Sequence, residues 1–455
     1  MNWKKRLSIR GSLATFAACM ILMTGPALTL AGCRDGDIEQ PAPAAYGTYG
    51  SALAQKIARS YPLRSPGSTQ ERQTSDLLVK TLEDAGYDPQ IQPFTFTDRE
   101  GVVRTSRNII VRIPGQGFTV TGEEGKTEIV RRQVIVGAHY DTLISEADLE
   151  AYRATTEPTT EAAATPAPDP QDQDPDATPS PGIIDDMPDT PTLLEYDGIH
   201  DNASGVAALI TLAKVMQGDS FNYDVILVAF GAGEADQAGA RFFAGKMSRD
   251  EVKSTDAMYC MDAIYAGDKI YAHAGRSSVK LFNRKDYELR RKLYEATDVF
   301  YEHELYTNNG YMLYTNQSSL EVEMPGLTTP VLYREWSLHD SDYLPFDSLG
   351  IPIVFFESYD YDSKSLEDMK ESKNPAFSDT DGWIRHTAFD SADYLTQLLN
   401  QKRSVSVFRA AATPAAGSGK VIDQLTRRIN NTAFIILEAI RKGAHDLDPD
   451  LEPAG

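Results

Sequence analysis

Five residues of types that bind metal ions stand where protein chains commonly build sites. His139, Glu234 and Asp262 each follow a continuous apolar run, Asp201 stands where a helix pattern begins, and His386 lies late in the chain. Each residue alone has an ordinary explanation, such as an aspartate that caps a helix. Together, two imidazoles and three carboxylates suit Zn²⁺ and leave positions for water and substrate. A carboxylate shared between two ions would make the site a co-catalytic pair.

The apolar pattern predicts the elements that position these side chains. Four apolar runs alternate with helix patterns: RQVIVGAH, DVILVAFGA, AMYCMDAI and GIPIVFFES. This alternation is typical of an α/β fold with three layers, in which helices cover both faces of a mostly parallel central sheet. In such sheets ligands collect outside the carboxyl ends of the strands. Three of the five candidate residues are expected there.

Composition restricts both the partners and the stabilising features. Lys and Arg number 44 against 66 Asp and Glu, which gives a net charge of -22. Binding of nucleic acid needs clustered basic residues, so this class of partner is excluded. Cys19 and Cys33 lie near the N-terminus, which leaves Cys260 without a disulfide partner and predicts a small buried residue there.

The N-terminus has the pattern of a bacterial lipoprotein signal. A basic start is followed by an apolar run, and the run ends in LAGC at Cys33. We expect residues 1–33 to be the signal, with Cys33 lipidated, and residues 34–48 to be a tether. A plain secretory signal or an uncleaved anchor is the alternative. The predicted location is outside the cytoplasm, where the lipid anchor holds the protein on a membrane.

The rest of the chain reads as one large domain, residues 49–442, with two insertions and a flexible tail at 443–455. Residues 145–195 are rich in Pro, Thr, Ala, Asp and Glu and have too little apolar surface to offset the entropy of ordering, so disorder is predicted. An acidic lid is the alternative. Residues 276–330 lack a clear period and are a candidate cap over the cleft.

Several motifs in one order resemble the bacterial leucyl aminopeptidase and aminopeptidase Y family of zinc exopeptidases, metallopeptidase family 28, which also includes the glutaminyl cyclases. The resemblance runs from about Ala52 to Leu399. Its motifs are RSPGS at 64–68, GAHYDT, DNASGVAALI, GIPIVFFES and HTAFDSADYL. It implies the zinc-exopeptidase fold, two zinc ions, and peptides or aminoacyl small molecules as substrates.

The resemblance also implies a role for each candidate ligand. His139 and Asp262 would hold one zinc ion, Glu234 and His386 would hold the other, and Asp201 would bridge the two.

Two further residues of the matched motifs have implied roles. Asp141 would orient His139 through a hydrogen bond, as carboxylates behind metal ligands commonly do. Asn202 favours the peptidase branch over the cyclases.

One departure from the family pattern concerns the general base. Where the family has two adjacent glutamates, this chain has Gly233 followed by Glu234. Another carboxylate could substitute: Glu234 itself with Asp236 as the ligand, or Glu335 or Asp342 from later loops. If nothing substitutes, Gly233→Glu is expected to raise turnover by roughly 10²–10⁴-fold.

Three functions therefore remain open. The chain could be a working aminopeptidase-like hydrolase, an inactive lipoprotein that binds metal and peptide ends, or a glutaminyl cyclase.

The sequence HDSDYLPF at 339–346 is a second departure from the family pattern, because Tyr343 stands where the family often has histidine. Asp342 and Tyr343 are the residues expected to contact substrate.

Overall fold

The computed structural model describes residues 43–121, 126–156, 188–278, 286–306, 311–315, 320–322, 328, 331–333, 339–362, 368–400 and 422–444. All of these residues belong to one compact unit. The predicted signal and tether up to residue 42, including Cys33, lie outside them, as does most of the predicted tail. None of the described helices is both long and apolar enough to cross a membrane.

The strands follow the predicted apolar runs closely. They are β1 Gln90–Thr97, β2 Val103–Ile113, β3 Phe118–Thr121, β4 Thr127–Val130, β5 Gln133–His139, β6 Asp224–Phe230, β7 Thr255–Met261, β8 Lys269–His273, β9 Leu313–Thr315, β10 Leu320–Val322, β11 Val331–Tyr333 and β12 Ile353–Tyr359. The short pairs β3–β4 and β10–β11 form separate two-stranded sheets.

Several of the helices begin at a capping side chain. The helices are α1 Tyr49–Ser60, α2 Thr69–Asp84, α3 Glu146–Thr156, α4 Ser204–Met216, α5 Ala238–Ala244, α6 Arg249–Ser254, α7 Tyr287–Glu302, α8 Leu344–Ser348, α9 Ala392–Asn400 and α10 Gln424–Arg441. The predicted start of α2 is an example, because the Ser68 side chain accepts a hydrogen bond from the Glu71 N–H and so satisfies a free helix donor.

The main sheet has eight strands in the order β1-β2-β6-β5-β7-β12-β8-β9. Strands β6, β5, β7 and β12 run parallel to their neighbours within this group. The outer pairings β1–β2, β2–β6 and β12–β8 are antiparallel. The prediction of an α/β fold with a mostly parallel central sheet is therefore confirmed.

Alternate residues of β5 serve the two faces of the sheet. Val134 and Val136 pack in a large apolar cluster that includes residues of α1, α4 and α10. Ile135 packs in a second cluster with Phe243 of α5 and Phe346 of α8. Because successive side chains of a strand point to opposite faces, residues 134–138 of β5 must all be apolar, and all seven residues of the strand are buried.

The first predicted insertion is not disordered at its ends. Residues Glu146–Thr156 form α3, and Leu193–Glu195 form a single helical turn with a capping box at Thr192. Leu149 of α3 is buried, which gives this helix an anchor that the composition of the segment did not reveal. Residues 157–187 lie outside the described part of the chain.

Helix α7, the longest described element of the second predicted insertion, does not lie over the cleft. Helix α7 packs against α10 and lies at the amino ends of the parallel strands. There Lys292 donates a hydrogen bond of 2.6 Å to the Gly443 carbonyl, and Glu288 lines a cavity with Arg132 and Pro352. The apolar face of α7 explains this position, because its buried residues, such as Leu293 and Phe300, join the large cluster.

Candidate active site

The five candidate ligands meet at the carboxyl ends of the parallel strands. His139 is the last residue of β5, Glu234 lies in the turn after β6, and Asp262 directly follows β7. Asp201 lies in a π-helical turn before α4, and His386 lies in the loop before α9. All five line one cavity of about 340 Å³.

Asp201 stands between the two imidazoles. Its Oδ1 lies 3.4 Å from Nε2 of His139, and its Oδ2 lies 3.1 Å from Nε2 of His386. Each oxygen therefore faces a different histidine. This is the arrangement that a carboxylate needs in order to serve two ions.

The other two carboxylates divide between the histidines as the family resemblance implies. Asp262 Oδ1 lies 3.6 Å from Nε2 of His139, and Glu234 Oε1 lies 2.9 Å from Nε2 of His386. His139, Asp201 and Glu234 offer ligand atoms that all lie within 4.8 Å of one another, close enough to hold a metal ion.

Buried atoms without partners support a metal in this cluster. Among the described residues, Oδ1 of Asp201 and Oδ1 of Asp262 have no hydrogen-bond partner, although both residues are at least 95% buried. An unpartnered buried carboxylate oxygen is costly, and such atoms in a native protein call for a ligand. The oxygen and imidazole donors fit Zn²⁺.

The electrostatics of the cluster demand positive charge. Burial lowers the pKa of His139, but the carboxylates of Asp141, Asp201 and Asp262 outweigh burial, so the pKa lies well above its ordinary value. Burial also lowers the pKa of His386, but Glu234 and Asp201 raise it to about 11. The cluster thus retains protons at neutral pH, and a divalent cation would replace them.

Asp141 holds the turn that carries Glu234. Its two oxygens accept hydrogen bonds from the N–H groups of Gly233, at 2.7 Å, and Glu234, at 2.9 Å. The same carboxylate lies 3.5 Å from Nδ1 of His139. Asp141 is therefore placed to orient both the histidine and the glutamate.

Asp390 and Asn202 hold Asp201 and Asp262 in position, a role that the sequence analysis did not assign to them. The Asp390 carboxylate accepts hydrogen bonds from the N–H groups of His200 and Asp201. Asn202 donates to the Met261 carbonyl and accepts from the Ala263 N–H, which ties the Asp201 turn to the end of β7. Both residues lie in matched motifs, DNASGVAALI and HTAFDSADYL, so their positions were visible although their roles were not.

Arg64 joins two segments that carry ligands. Its buried guanidinium donates to the carbonyls of Tyr140, Asp197 and Gly198. Because Tyr140 directly follows His139, and Asp197 and Gly198 lie in the segment that leads to Asp201, Arg64 fixes one segment against the other. The RSPGS motif contained this signal.

Several backbone turns at the site have left-handed conformations that side chains rarely adopt. Ala232, Ala263 and His386 have φ angles of 51°, 47° and 60°. Residues held in this region cluster at functional sites, because the surrounding contacts must fix them. Here Glu71 contributes such a contact, as its carboxylate accepts from the Ala232 N–H.

Gly233 has no room for a side chain in this structure. A Cβ atom added there would lie 2.5 Å from Cγ and 2.9 Å from Nδ1 of His139. The position where the family resemblance places the general base is thus closed by His139, a candidate metal ligand. The expectation that Gly233→Glu would raise turnover does not fit this geometry.

We therefore predict that Gly233→Ala and Gly233→Glu lower both zinc content and melting temperature. The added atoms must displace His139 or the turn after β6, and overpacking of a buried site typically costs about 1–3 kcal/mol. Metal analysis and thermal melting of the purified variants measure this. A stable, zinc-loaded Gly233→Glu with increased turnover would show that the turn relaxes and that glycine alone removed the base.

The other residues suggested as a general base differ in how well they fit the structure. The Asp236 side chain is 81% exposed and pairs with Arg241 at 3.0 Å, so it lies at the cavity mouth and away from His386. The idea that Asp236 ligates while Glu234 acts as base therefore does not fit. Glu335 lies outside the described residues.

Asp342 lines the cavity, whereas Tyr343 does not. Both carboxylate oxygens of Asp342 are buried and find no hydrogen-bond partner in the described part of the chain, and burial raises the pKa of Asp342 to about 7. The Tyr343 hydroxyl donates to the His339 carbonyl, and its ring packs on Phe355. The expected substrate contact by Tyr343 does not fit this position, because its aromatic ring is buried in the apolar core.

Comparison with known proteins identifies a peptidase family. Residues 119–409 match the model of peptidase family M28. The alkaline phosphatase isozyme conversion protein of Escherichia coli (strain K12) is 24% identical over 212 residues, which are 46% of this chain; the chain spans about half, 49%, of that relative's length.

Solved structures share the fold at low identity. BSAP, a zinc aminopeptidase from Bacillus subtilis, superposes with a TM-score of 0.50 and 12% identity, covering 87% of this chain and 96% of that one. A glutaminyl cyclase from an Acidobacteriales bacterium gives a TM-score of 0.49 and 16% identity, covering 89% and 96% of the two chains.

Proposed function

The chain belongs to peptidase family M28, and from this premise we propose that it is a zinc-dependent exopeptidase that removes N-terminal residues from peptides. The observation that carries the proposal is the position of Asp201, whose two oxygens face Nε2 of His139 and Nε2 of His386. Asp262 and Glu234 complete the two halves of the site. The proposed cofactor is a pair of zinc ions.

Bound zinc would supply a Lewis acid and lower the pKa of a water molecule. The protein's own contribution is to place five ligands, three at or just after strand ends and two in loops, and to handle a proton. We propose that Asp342 handles it, because its carboxylate lines the cavity and lacks hydrogen-bond partners. An ionised Asp342 can accept a proton at either carboxylate oxygen, and the protonated form can pass it to the leaving amine.

A second candidate function is supported by Gly233. A site that retains all five ligands while His139 closes the usual base position also fits a protein that binds peptide ends without cleaving them. The two candidates share the metal site and differ in turnover alone.

Release of amino acids from defined peptides separates them. The zinc-loaded protein is incubated with a peptide that has a free N-terminus and with its N-acetylated form. An exopeptidase releases the first residue of the free peptide only, and a chelator stops the release. Stable binding of the free peptide with no release would favour the binding protein, whereas internal cleavage of both peptides would contradict the exopeptidase.

We also propose that Cys33 carries a lipid and anchors the mature protein to a membrane outside the cytoplasm. The support is the sequence pattern alone, a basic start and an apolar run ending in LAGC. Two acyl chains give stable anchoring where one gives marginal binding.

Mass spectrometry of the native N-terminus tests the anchor. The expected result is a mature chain that begins at a diacylglyceryl-modified Cys33. Cys33→Ala should leave the protein unprocessed at this position and without the lipid modification. An unmodified N-terminus at another residue would refute the lipoprotein assignment.

A further inference from the structure

Arg385 is a charged residue that lines the cavity and has no role in the proposed chemistry. The residue directly precedes His386, lines the cavity and is 8% exposed. Its Nη2 has no hydrogen-bond partner among the described residues. A buried guanidinium nitrogen in this condition calls for a ligand that the protein itself does not supply.

The neighbouring glutamate fixes the guanidinium in place. Nε of Arg385 donates to Oε1 of Glu371 at 2.6 Å. Glu371 also accepts the N–H groups of Ile384 at 2.6 Å and Arg385 at 2.8 Å. The carboxylate thus anchors one edge of the guanidinium and leaves the Nη edge for another partner.

The other carboxylates near Arg385 do not occupy that edge. Glu357 Oε2 lies 4.0 Å from Nη2, beyond hydrogen-bond distance. Glu357 instead contacts Nε2 of His273 at 3.0 Å and Nδ1 of His339 at 2.7 Å. Asp262 Oδ2 lies 4.0 Å from Nη1, and Asp262 is a proposed zinc ligand.

The position of Arg385 specifies what can bind there. Its guanidinium lies beside Asp262 and next to His386 in the chain, so a bound group would lie close to the reacting bond. The α-carbon of the residue after the scissile bond lies about 3.8 Å from the α-carbon of the residue before it, so the carboxylate of that following residue can reach Arg385. The paired N–H groups of arginine match the two oxygens of a carboxylate.

We propose that Arg385 binds the carboxylate of the residue that follows the scissile bond, so that the preferred substrates are dipeptides with a free C-terminus. The proposal rests on the exopeptidase function above. The cavity volume of about 340 Å³ agrees with it, since it lies at the small end of the range for ligand pockets.

The test compares a dipeptide with its C-terminal amide. Leucyl-alanine and leucyl-alaninamide differ only in the charge that Arg385 would bind. We expect the wild-type protein to cleave the free dipeptide with a kcat/KM roughly 10–100-fold higher, the range typical of a hydrogen bond to a charged group. Arg385→Gln should remove this preference by lowering the rate on the free dipeptide alone.

Two further variants complete the comparison. Arg385→Lys keeps the charge but loses the paired donors, so it should retain a small part of the preference. Arg99 lines the same cavity and is exposed, so Arg99→Gln changes the charge equally and should keep the full preference. Melting curves with zinc show whether each variant is folded.

Binding measurements keep the test independent of turnover. Calorimetry with reduced dipeptides, in which a methylene replaces the scissile carbonyl, compares the free acid with the amide in each variant. If the wild-type protein binds the free acid more tightly than the amide, and Arg385→Gln and Arg385→Lys weaken that binding, the proposal is supported even if no peptide is cleaved. An absence of cleavage would contradict only the exopeptidase function. Equal binding of acid and amide by the wild-type protein overturns the proposal, as does an equal loss of both in Arg385→Gln.

Discussion

Asp201→Ala is expected to lose more metal than any other single ligand variant and to lose turnover with it. The reason is that the two oxygens of Asp201 face different histidines, so that its removal weakens both halves of the site at once. A residue behind the ligands typically changes metal affinity by about 10–100-fold. We expect Asp201→Ala to exceed that range, and zinc titration of the metal-free protein measures it.

Two carboxylates of the same region are suitable controls. Asp141 holds the turn after β6 and faces His139, so Asp141→Ala should weaken zinc within the range typical of residues behind the ligands. Asp236 lies at the mouth of the cavity and pairs with Arg241, so Asp236→Ala should change zinc affinity little. Full zinc content in Asp201→Ala would show that the bridging role is assigned to the wrong residue.

Asp342→Asn is expected to lower kcat by roughly 10²–10⁴-fold, the usual worth of a positioned proton-transfer group. The change is close to isosteric and removes only the ability to accept a proton. Zinc content should remain that of the wild-type protein, because Asp342 is not one of the five proposed ligands. A variant with normal zinc and normal kcat but raised KM would instead make Asp342 a substrate-binding residue.

The pKa of Asp342 gives this prediction a pH dependence. Burial raises the pKa to about 7 from an ordinary value of 3.8. If Asp342 accepts the proton it must be ionised, so turnover should rise as the pH increases through about 7. Asp342→Asn should lack this rise in its residual activity.

The free energy of unfolding should change with pH in the direction opposite to turnover, falling as the pH rises. A carboxyl group whose pKa is raised by folding binds its proton more tightly in the folded state, so the folded state loses stability as the pH rises from about 4 to about 7. Asp342→Asn should therefore gain melting temperature relative to the wild-type protein at pH 8 and gain less at pH 4. An equal difference at both pH values would show that the buried carboxyl does not titrate in this way.

The ends of the strands were predictable because burial on both faces leaves a clear signal. The run at 134–138 is apolar throughout, so His139 had to stand at the end of a central strand. The loop ligands Asp201 and His386 came from family motifs, since nothing in the local pattern brings residues so distant in the chain to 3.1 Å.

The features that sequence reasoning missed depend on packing between distant side chains. That His139 closes the space at Gly233 depends on how the β6 turn lies against β5, which no local pattern encodes. Tyr343 was expected at the cavity because it stands where the family often has histidine, but its ring packs in the core and only Asp342 lines the site. The free edge of Arg385 required knowledge of where Glu371 and Glu357 lie.

The most direct test of a working two-zinc exopeptidase is to titrate zinc into metal-free protein and to measure bound zinc and leucine release in the same samples. We predict that the protein binds two zinc ions and that release of leucine from leucyl-alanine appears as the site fills. Addition of a chelator should remove both zinc and activity. A protein that holds two zinc ions, remains folded and releases no amino acid from any dipeptide or aminoacyl amide would contradict the account.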